Sequence, residues 1–115
     1  MNEVRYHDAA EAELFEALGF LELRAKGLGR RLLGEVRRTA ARIAEFPLVG
    51  PEIRPGVRKL RVRTFLYSLV YTVDDEGVLI LAVAHGSRRP DYWITGASDL
   101  SSGRRSYNRG MELAP

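Results

Sequence analysis

Three cations recur at spacing two in Lys59, Arg61 and Arg63. On an extended strand that spacing sets their side chains about 7 Å apart on one face, close to the separation of successive phosphates on a stretched nucleic-acid backbone. Tyr67, Tyr71, Tyr92 and Trp93 lie nearby in sequence. Aromatics interleaved with cations suit single-stranded RNA or DNA, which offers a π-face at each base and a charge at each nucleotide. The same pattern has a plainer reading, in which Tyr67 and Tyr71 alternate with Leu69 in a strand core and the cations keep a sheet face solvated. A second cluster starts at His85 and continues through Gly86-Ser87-Arg88-Arg89-Pro90-Asp91-Tyr92. A base to take a proton from a 2′-hydroxyl, an acid for the leaving 5′-oxygen and arginines to hold the phosphate charge together make ribonuclease chemistry. The bland counterpart is a histidine that ends a strand, followed by a basic turn that recognises a carboxylate on another protein. The residues alone leave both open.

The surrounding charge is uneven. Residues 1–27 hold six acids and three bases, whereas residues 28–63 hold ten bases and three acids. An overall charge of +3 therefore hides a strongly basic middle, a field that favours a polyanion or an acidic protein over a neutral metabolite. An ordinary solvated face is the alternative. The acids of the first helical segment, Glu11, Glu13, Glu16 and Glu22, scatter around the cylinder and read as solvent-facing, not as a carboxylate pair. Gly27-Leu28-Gly29 lacks a preceding strand and a third glycine, so it reads as punctuation and not as a nucleotide cradle.

Positioning these residues falls to one domain. The 115 residues are 45% hydrophobic, enough for a single core. With no cysteine, disulfide frameworks, thiolate zinc sites and cysteine nucleophiles are excluded, and two histidines make no metal cluster. No cofactor or metal is expected. The longest apolar run, Val78 to Ala84, is far below the roughly 20 residues of a membrane span, and the N-terminus lacks a basic region followed by an apolar one. A cytoplasmic protein without a membrane role is the expectation.

Glu3 to His7 alternates weakly and predicts a short strand, with Asp8 as N-cap and Glu11 completing a capping box. Leu14, Leu18, Leu21 and Ala25 then give a helical stripe that Lys26-Gly27 closes with a left-handed cap. Leu28, Leu32, Val36, Ala40 and Ile43 give a second helix, which Pro47 stops. The near absence of a linker makes the two an antiparallel hairpin. Residues 47–56, with three prolines and two glycines, predict loop with little regular structure. The period then falls to two. Val57 to Arg63 presents Arg58, Leu60 and Val62 on one face and Val57, Lys59, Arg61 and Arg63 on the other. Leu66 to Val73 and Val78 to His85 flank the polar turn Asp74-Asp75-Glu76-Gly77, and the unalternating second run predicts a strand buried on both faces. The fold class is α+β, in the order β-α-α-β-β-β: a helical hairpin on one face of a small, mainly antiparallel sheet, the other face exposed and partly basic.

Taken together, these segments resemble the RelE/ParE toxin superfamily of type II toxin–antitoxin modules, in particular its ParE-like, plasmid-stabilisation branch. The resemblance is carried by Val4 to Leu14, Ile43-Ala44-Glu45-Phe46-Pro47, Gly56 to Leu60, Phe65 to Tyr71 and Ile80 to Trp93. It covers about residues 3–94, so 1–94 is expected to be the toxin domain and 95–115 a tail of unknown role. It implies neutralisation by a cognate, ParD-like antitoxin whose C-terminal segment wraps the toxin. ParE-like members are associated with poisoning DNA gyrase and RelE-like members with cutting mRNA on the ribosome. By position, Lys59, Arg61, Arg63, Arg88 and Tyr92 match the working residues of RelE-like nucleases, and His85 stands where some relatives have a catalytic base. The His85 to Trp93 ending looks more like the plasmid-stabilisation branch, in which no catalytic set is established. The resemblance thus implies Lys59, Arg61, Arg63, Arg88, Arg89 and Trp93 as target- or antitoxin-binding residues, with His85, Arg88 and Tyr92 as catalytic candidates only for a nuclease. A non-toxic relative acting as a binding module is a third reading. The apolar helix faces and sheet edges are expected to leave a groove for an amphipathic, acidic antitoxin segment.

Overall fold

A computed structural model describes residues 2–86, Trp93 and Tyr107–Arg109. The elements run β1 (Val4–His7), α1 (Asp8–Arg24), α2 (Leu28–Glu45), β2 (Glu52–Arg54), β3 (Val57–Arg61), β4 (Tyr67–Asp74), β5 (Gly77–His85) and β6 (Tyr107–Arg109). The strands form one sheet in the order β2-β3-β4-β5-β1-β6. All neighbours are antiparallel except β1 and β5, which run parallel from Val4 opposite Val78 to Tyr6 opposite Ile80. The α+β class, the helical hairpin and the mainly antiparallel sheet agree with the sequence. Two three-residue strands add to the expected order. One, β2, lies inside the segment expected to be loop, and β6 lies in the stretch to which the sequence assigns no role. Three residues are too few to show a period.

The helices bury the faces their spacing dictates. Ala10, Leu14 and Ala17 of α1 and Leu32, Val36, Ala40 and Ile43 of α2 meet Tyr6, Leu69, Tyr71, Val78, Ile80 and Val83 in the main core. A fully buried aliphatic side chain such as Leu14 or Ile43 contributes roughly 1.5–3 kcal/mol by leaving water. The hairpin closes tightly at Gly29, where a Cβ would stand 2.6 Å from the Leu18 carbonyl oxygen.

Helix ends depart from expectation by one residue, and side chains from elsewhere do the capping. His7, not Asp8, is the N-cap of α1: its Nδ1 accepts the Ala9 N–H at 3.0 Å, and Asp8 opens the first turn. At the other end α1 stops at Ala25 in an extended conformation, and the left-handed Gly27 (φ 89°) begins α2 instead of closing α1. Gly27 has no side chain to cap with, so Glu22 reaches across the link and accepts from the Gly27 N–H at 2.8 Å and the Gly29 N–H at 3.0 Å. Glu13 is likewise more than a solvated acid. Beyond Ile80 the edge of β5 has left β1, and Glu13 Oε1 accepts the Val83 N–H at 2.9 Å.

The Gly27 N–H, then the Gly29 N–H, hold the Glu22 carboxyl below the usual carboxylate range. A group whose folded pKa is depressed contributes stability above its unfolded pKa and loses it as pH falls through the folded value. The Glu22→Ala variant is therefore expected to melt below the wild type at neutral pH. The gap should narrow as pH drops below the ordinary glutamate value of 4.5, a dependence that thermal melts at several pH values would read. A constant gap would remove the capping charge from the account.

Candidate functional site

The register of β3, β4 and β5 decides which side chains share a face. Lys59 stands opposite Val70 and Arg61 opposite Ser68, while Val70 and Ser68 face Ala82 and Ala84 on the next strand. This row points away from the helices, because the alternating residues Leu60, Leu69 and Val83 enter the core beneath them. Lys59 and Arg61 are both exposed. The face is not wholly open, as the sequence suggested. Val70, Leu79, Leu81 and Ala82 form a second apolar cluster against which the Trp93 indole is only 8% exposed. A bulge between Val70 and Tyr71 carries the pairing from Ala82 to Ile80 and leaves both Leu81 and Ala82 in that cluster. That face is thus a second, covered apolar cluster with an exposed cationic margin on β3.

Arg63 does not continue that margin. The strand ends at Arg61, Val62 still enters the core, and Thr64 turns the chain with φ 77°, an uncommon conformation for a β-branched residue. Arg63 instead adds to the positive field on Glu35 of α2, whose carboxyl is pulled down first by its hydrogen bond from Arg38. Arg58, on the helix side of the strand, is also committed: it donates to the Gly50 carbonyl at 2.8 Å and the Leu48 carbonyl at 3.3 Å. Tyr71 finishes the same anchor, donating to the Pro47 carbonyl at 2.7 Å and accepting the Gly50 N–H at 3.0 Å.

His85 pairs with Tyr67, and both lie on the helix side of the sheet. Their rings meet edge to face with centroids 4.9 Å apart and an interplanar angle of 83°. Burial, with a smaller push from the Glu16 carboxylate, raises the Tyr67 pKa above 10.0, so its phenol is neutral at physiological pH. The structure therefore sets His85 on one face of the sheet and the Lys59–Arg61 pair on the other. Arg88, Arg89 and Tyr92 lie outside the described residues. Among the described residues no group of three or more His, Asp or Glu side chains is arranged to hold a metal ion, and no helix is long and apolar enough to cross a membrane.

Two further features escape sequence reading. Arg5 is 1% exposed, yet its guanidinium donates to Asp74 at 2.6 Å, to Glu76 at 3.0 Å and, more weakly, to the Gly77 carbonyl at 3.4 Å. It ties β1 to the β4–β5 turn, a contact whose only sequence signal is one cation in a short strand and acids in a distant turn. Past α2, Arg42, Glu45, Phe46, Pro47, Leu48 and Val49 line an open, largely apolar hollow, with Phe46 and Leu48 exposed.

Residues 4–90 match the family described as ParE toxin of type II toxin-antitoxin system, parDE. Toxin ParE2 of Mycobacterium tuberculosis, in both strains CDC 1551 / Oshkosh and H37Rv, is 32% identical over 89 residues, covering 76% of this chain and 85% of that protein. Among solved structures, one from the chromosomal ParDE TA system of P. aeruginosa superposes with a TM-score of 0.65 at 16% identity, over 74% of this chain and 96% of the other. That last likeness is one of fold, and it matches the hairpin on a mixed sheet described above. With the family match and the M. tuberculosis relative each spanning about three quarters of the sequence, this chain belongs to the ParE toxin family of type II toxin–antitoxin systems.

Proposed function

We propose that the chain is a cytoplasmic toxin that arrests growth by binding DNA gyrase, without turnover, and that a ParD-like antitoxin neutralises it. The observation that carries this reading is the placement of His85 on the opposite sheet face from Lys59 and Arg61. A strand-end histidine packed on a tyrosine ring is not set to exchange protons with a phosphate held by those cations, since general acid–base work needs hydrogen-bond reach. Lys59 and Arg61, exposed beside that covered cluster, suit a protein contact in which cations steer the encounter. The antitoxin would meet the same basic field with an acidic segment and seat apolar side chains in the hollow around Phe46 and Leu48.

The test combines gyrase supercoiling and cleavage assays on closed circular DNA with growth of a host carrying a DNA-damage reporter. Expected are growth arrest, reporter induction and protein-linked DNA breaks, all retained by a folded His85→Ala variant, and relief of arrest when the antitoxin is co-expressed. Primer extension on translating mRNA is expected to show no new 5′ ends. New ends that vanish in His85→Ala would establish the RelE-like ribosome-dependent nuclease instead. Unimpaired growth with folded protein would leave a binding module.

A further inference from the structure

Half of the basic middle lies on one helix. Of the ten bases in residues 28–63, five are arginines of α2 (Arg30, Arg31, Arg37, Arg38 and Arg42), set against Glu35 and Glu45. Their placement follows from the side that α2 buries. Leu32, Val36, Ala40 and Ile43 enter the core. At about 100° per residue, the opposite side carries Gly34 and Ala41 along its middle, with Arg30 and Arg37 on one flank and Arg31, Arg38 and Arg42 on the other. Arg37 is partly buried and the other four are exposed. Arg38 donates to Glu35 at 2.9 Å and lies against Gly34, where a Cβ would stand 3.4 Å from its Nη2. Among the described residues, Arg30, Arg31 and Arg42 form no hydrogen bond or ion pair through their side chains. With Glu35 engaged by Arg38 and Glu45 at the last residue of the helix, the centre of the face is cationic.

We propose that this outward face of α2 binds the phosphate backbone of duplex DNA. A floor of small residues between two arginine flanks lets an anionic strand approach closely and meets its phosphates from both sides. The pairs Arg30–Arg31 and Arg37–Arg38 are seven residues apart, about 10 Å along the helix axis, or roughly three base-pair steps of 3.4 Å. Guanidinium forks suit phosphate oxygens better than point charges do. Other occupants lack a hold here. A protein partner needs an apolar anchor, and none of the exposed large apolar side chains lies within α2; the nearest, Phe46, belongs to the hollow past its end. A single strand needs stacking faces, and residues 28–45 contain no aromatic. RNA recognition uses the 2′-hydroxyl, but Thr39, the only hydroxyl of the helix, is buried and donates to the Glu35 carbonyl at 2.8 Å. With no Asn or Gln in the helix either, the contact is with the backbone and independent of base sequence. The inference does not depend on the toxin's target.

The test is binding of the purified full-length chain to a short labelled DNA duplex of mixed sequence, read by fluorescence anisotropy from about 50 to about 200 mM salt. Affinity is expected to fall with a log–log slope of about −3 to −4, roughly −0.9 for each of three or four phosphates neutralised. Arg30→Ala/Arg31→Ala should weaken binding about tenfold or more at the lowest salt and make the slope shallower by about 2. Its thermal melt should be unchanged, since both side chains are exposed. Gly34→Glu sets a carboxylate on the floor between the flanks and should abolish binding, while replacing a glycine inside a helix does not lower helix stability. Lys59→Ala/Arg61→Ala, on the sheet face away from the helices, should bind the duplex as the wild type does. No binding at the lowest salt would overturn the proposal, as would tighter binding to a single strand or to an RNA duplex of the same sequence. Displacement of the duplex by polyglutamate at equal charge concentration would overturn it in favour of an acidic protein. Folded Arg30→Ala/Arg31→Ala and Gly34→Glu variants that bind like the wild type would move the contact off α2.

Discussion

Replacing Gly77 with valine is expected to destabilise the fold by about 2–4 kcal/mol, the sum of backbone strain and a blocked strand contact. Gly77 closes the β4–β5 turn opposite Asp74 with φ 116°, a conformation that residues bearing a Cβ rarely adopt. Its Cβ position is also occupied: a side chain there would collide with the Glu3 carbonyl oxygen and stand 3.0 Å from the Glu3 nitrogen. That carbonyl accepts the Val78 N–H at 2.8 Å, the bond that starts the parallel pairing of β1 with β5. Relief by moving β1 would disturb this pairing and the Arg5 contacts with Asp74 and Glu76. Urea titration gives the loss directly. Gly56 supplies the control, because it too has a positive φ (78°) but open space around its Cβ position. Gly56→Ala should lose only the conformational part, about 1 kcal/mol. Equal losses at the two glycines would mean that the approach of β1 to the turn contributes nothing.

Reversing the cationic margin, Lys59→Glu with Arg61→Glu, is expected to abolish growth arrest and weaken target binding by about 100-fold, near 2.7 kcal/mol. Stability should change by no more than about 0.5 kcal/mol, because both side chains are exposed and neither enters the core. The wild-type interaction should weaken as salt rises, and the double variant should have lost that dependence. Arg63→Glu should have a smaller effect, since Arg63 lies past the end of β3 and outside its row. Binding assays at two ionic strengths, beside a thermal melt, separate these outcomes. A folded double variant that still arrests growth would move the contact away from this face.

Much of the architecture is legible before folding is considered. Helix and strand announce themselves through local periods, so the stripe from Leu28 to Ile43 and the alternation from Val57 to Val62 are read correctly from neighbours alone. Pro47 and the Asp74–Gly77 turn mark their breaks for equally local reasons. The misreadings concern interactions that span distance. Glu22 looks like one more solvated acid until the hairpin brings Gly27 and Gly29 to it. Glu13 looks the same until β5 passes beneath α1 with a backbone N–H to satisfy. Trp93 reads as an exposed stacking surface, yet the sheet supplies the apolar cluster that covers it.

The candidate site follows the same division. Residue types and spacing by themselves determined the helical hairpin, the strand-rich second half, the basic middle and the cationic row at Lys59 and Arg61, because each depends on residues a few positions apart. Only the tertiary structure decided that His85 faces away from that row, that Arg63 falls beyond the end of the strand, and that α1 keeps a second apolar side outside the core. Those outcomes depend on cross-strand register, on the bulge at Val70–Tyr71 and on which side of a helix meets the sheet. Period along a strand says which residues share its face, but the alignment of one strand with the next is set by long-range pairing and packing.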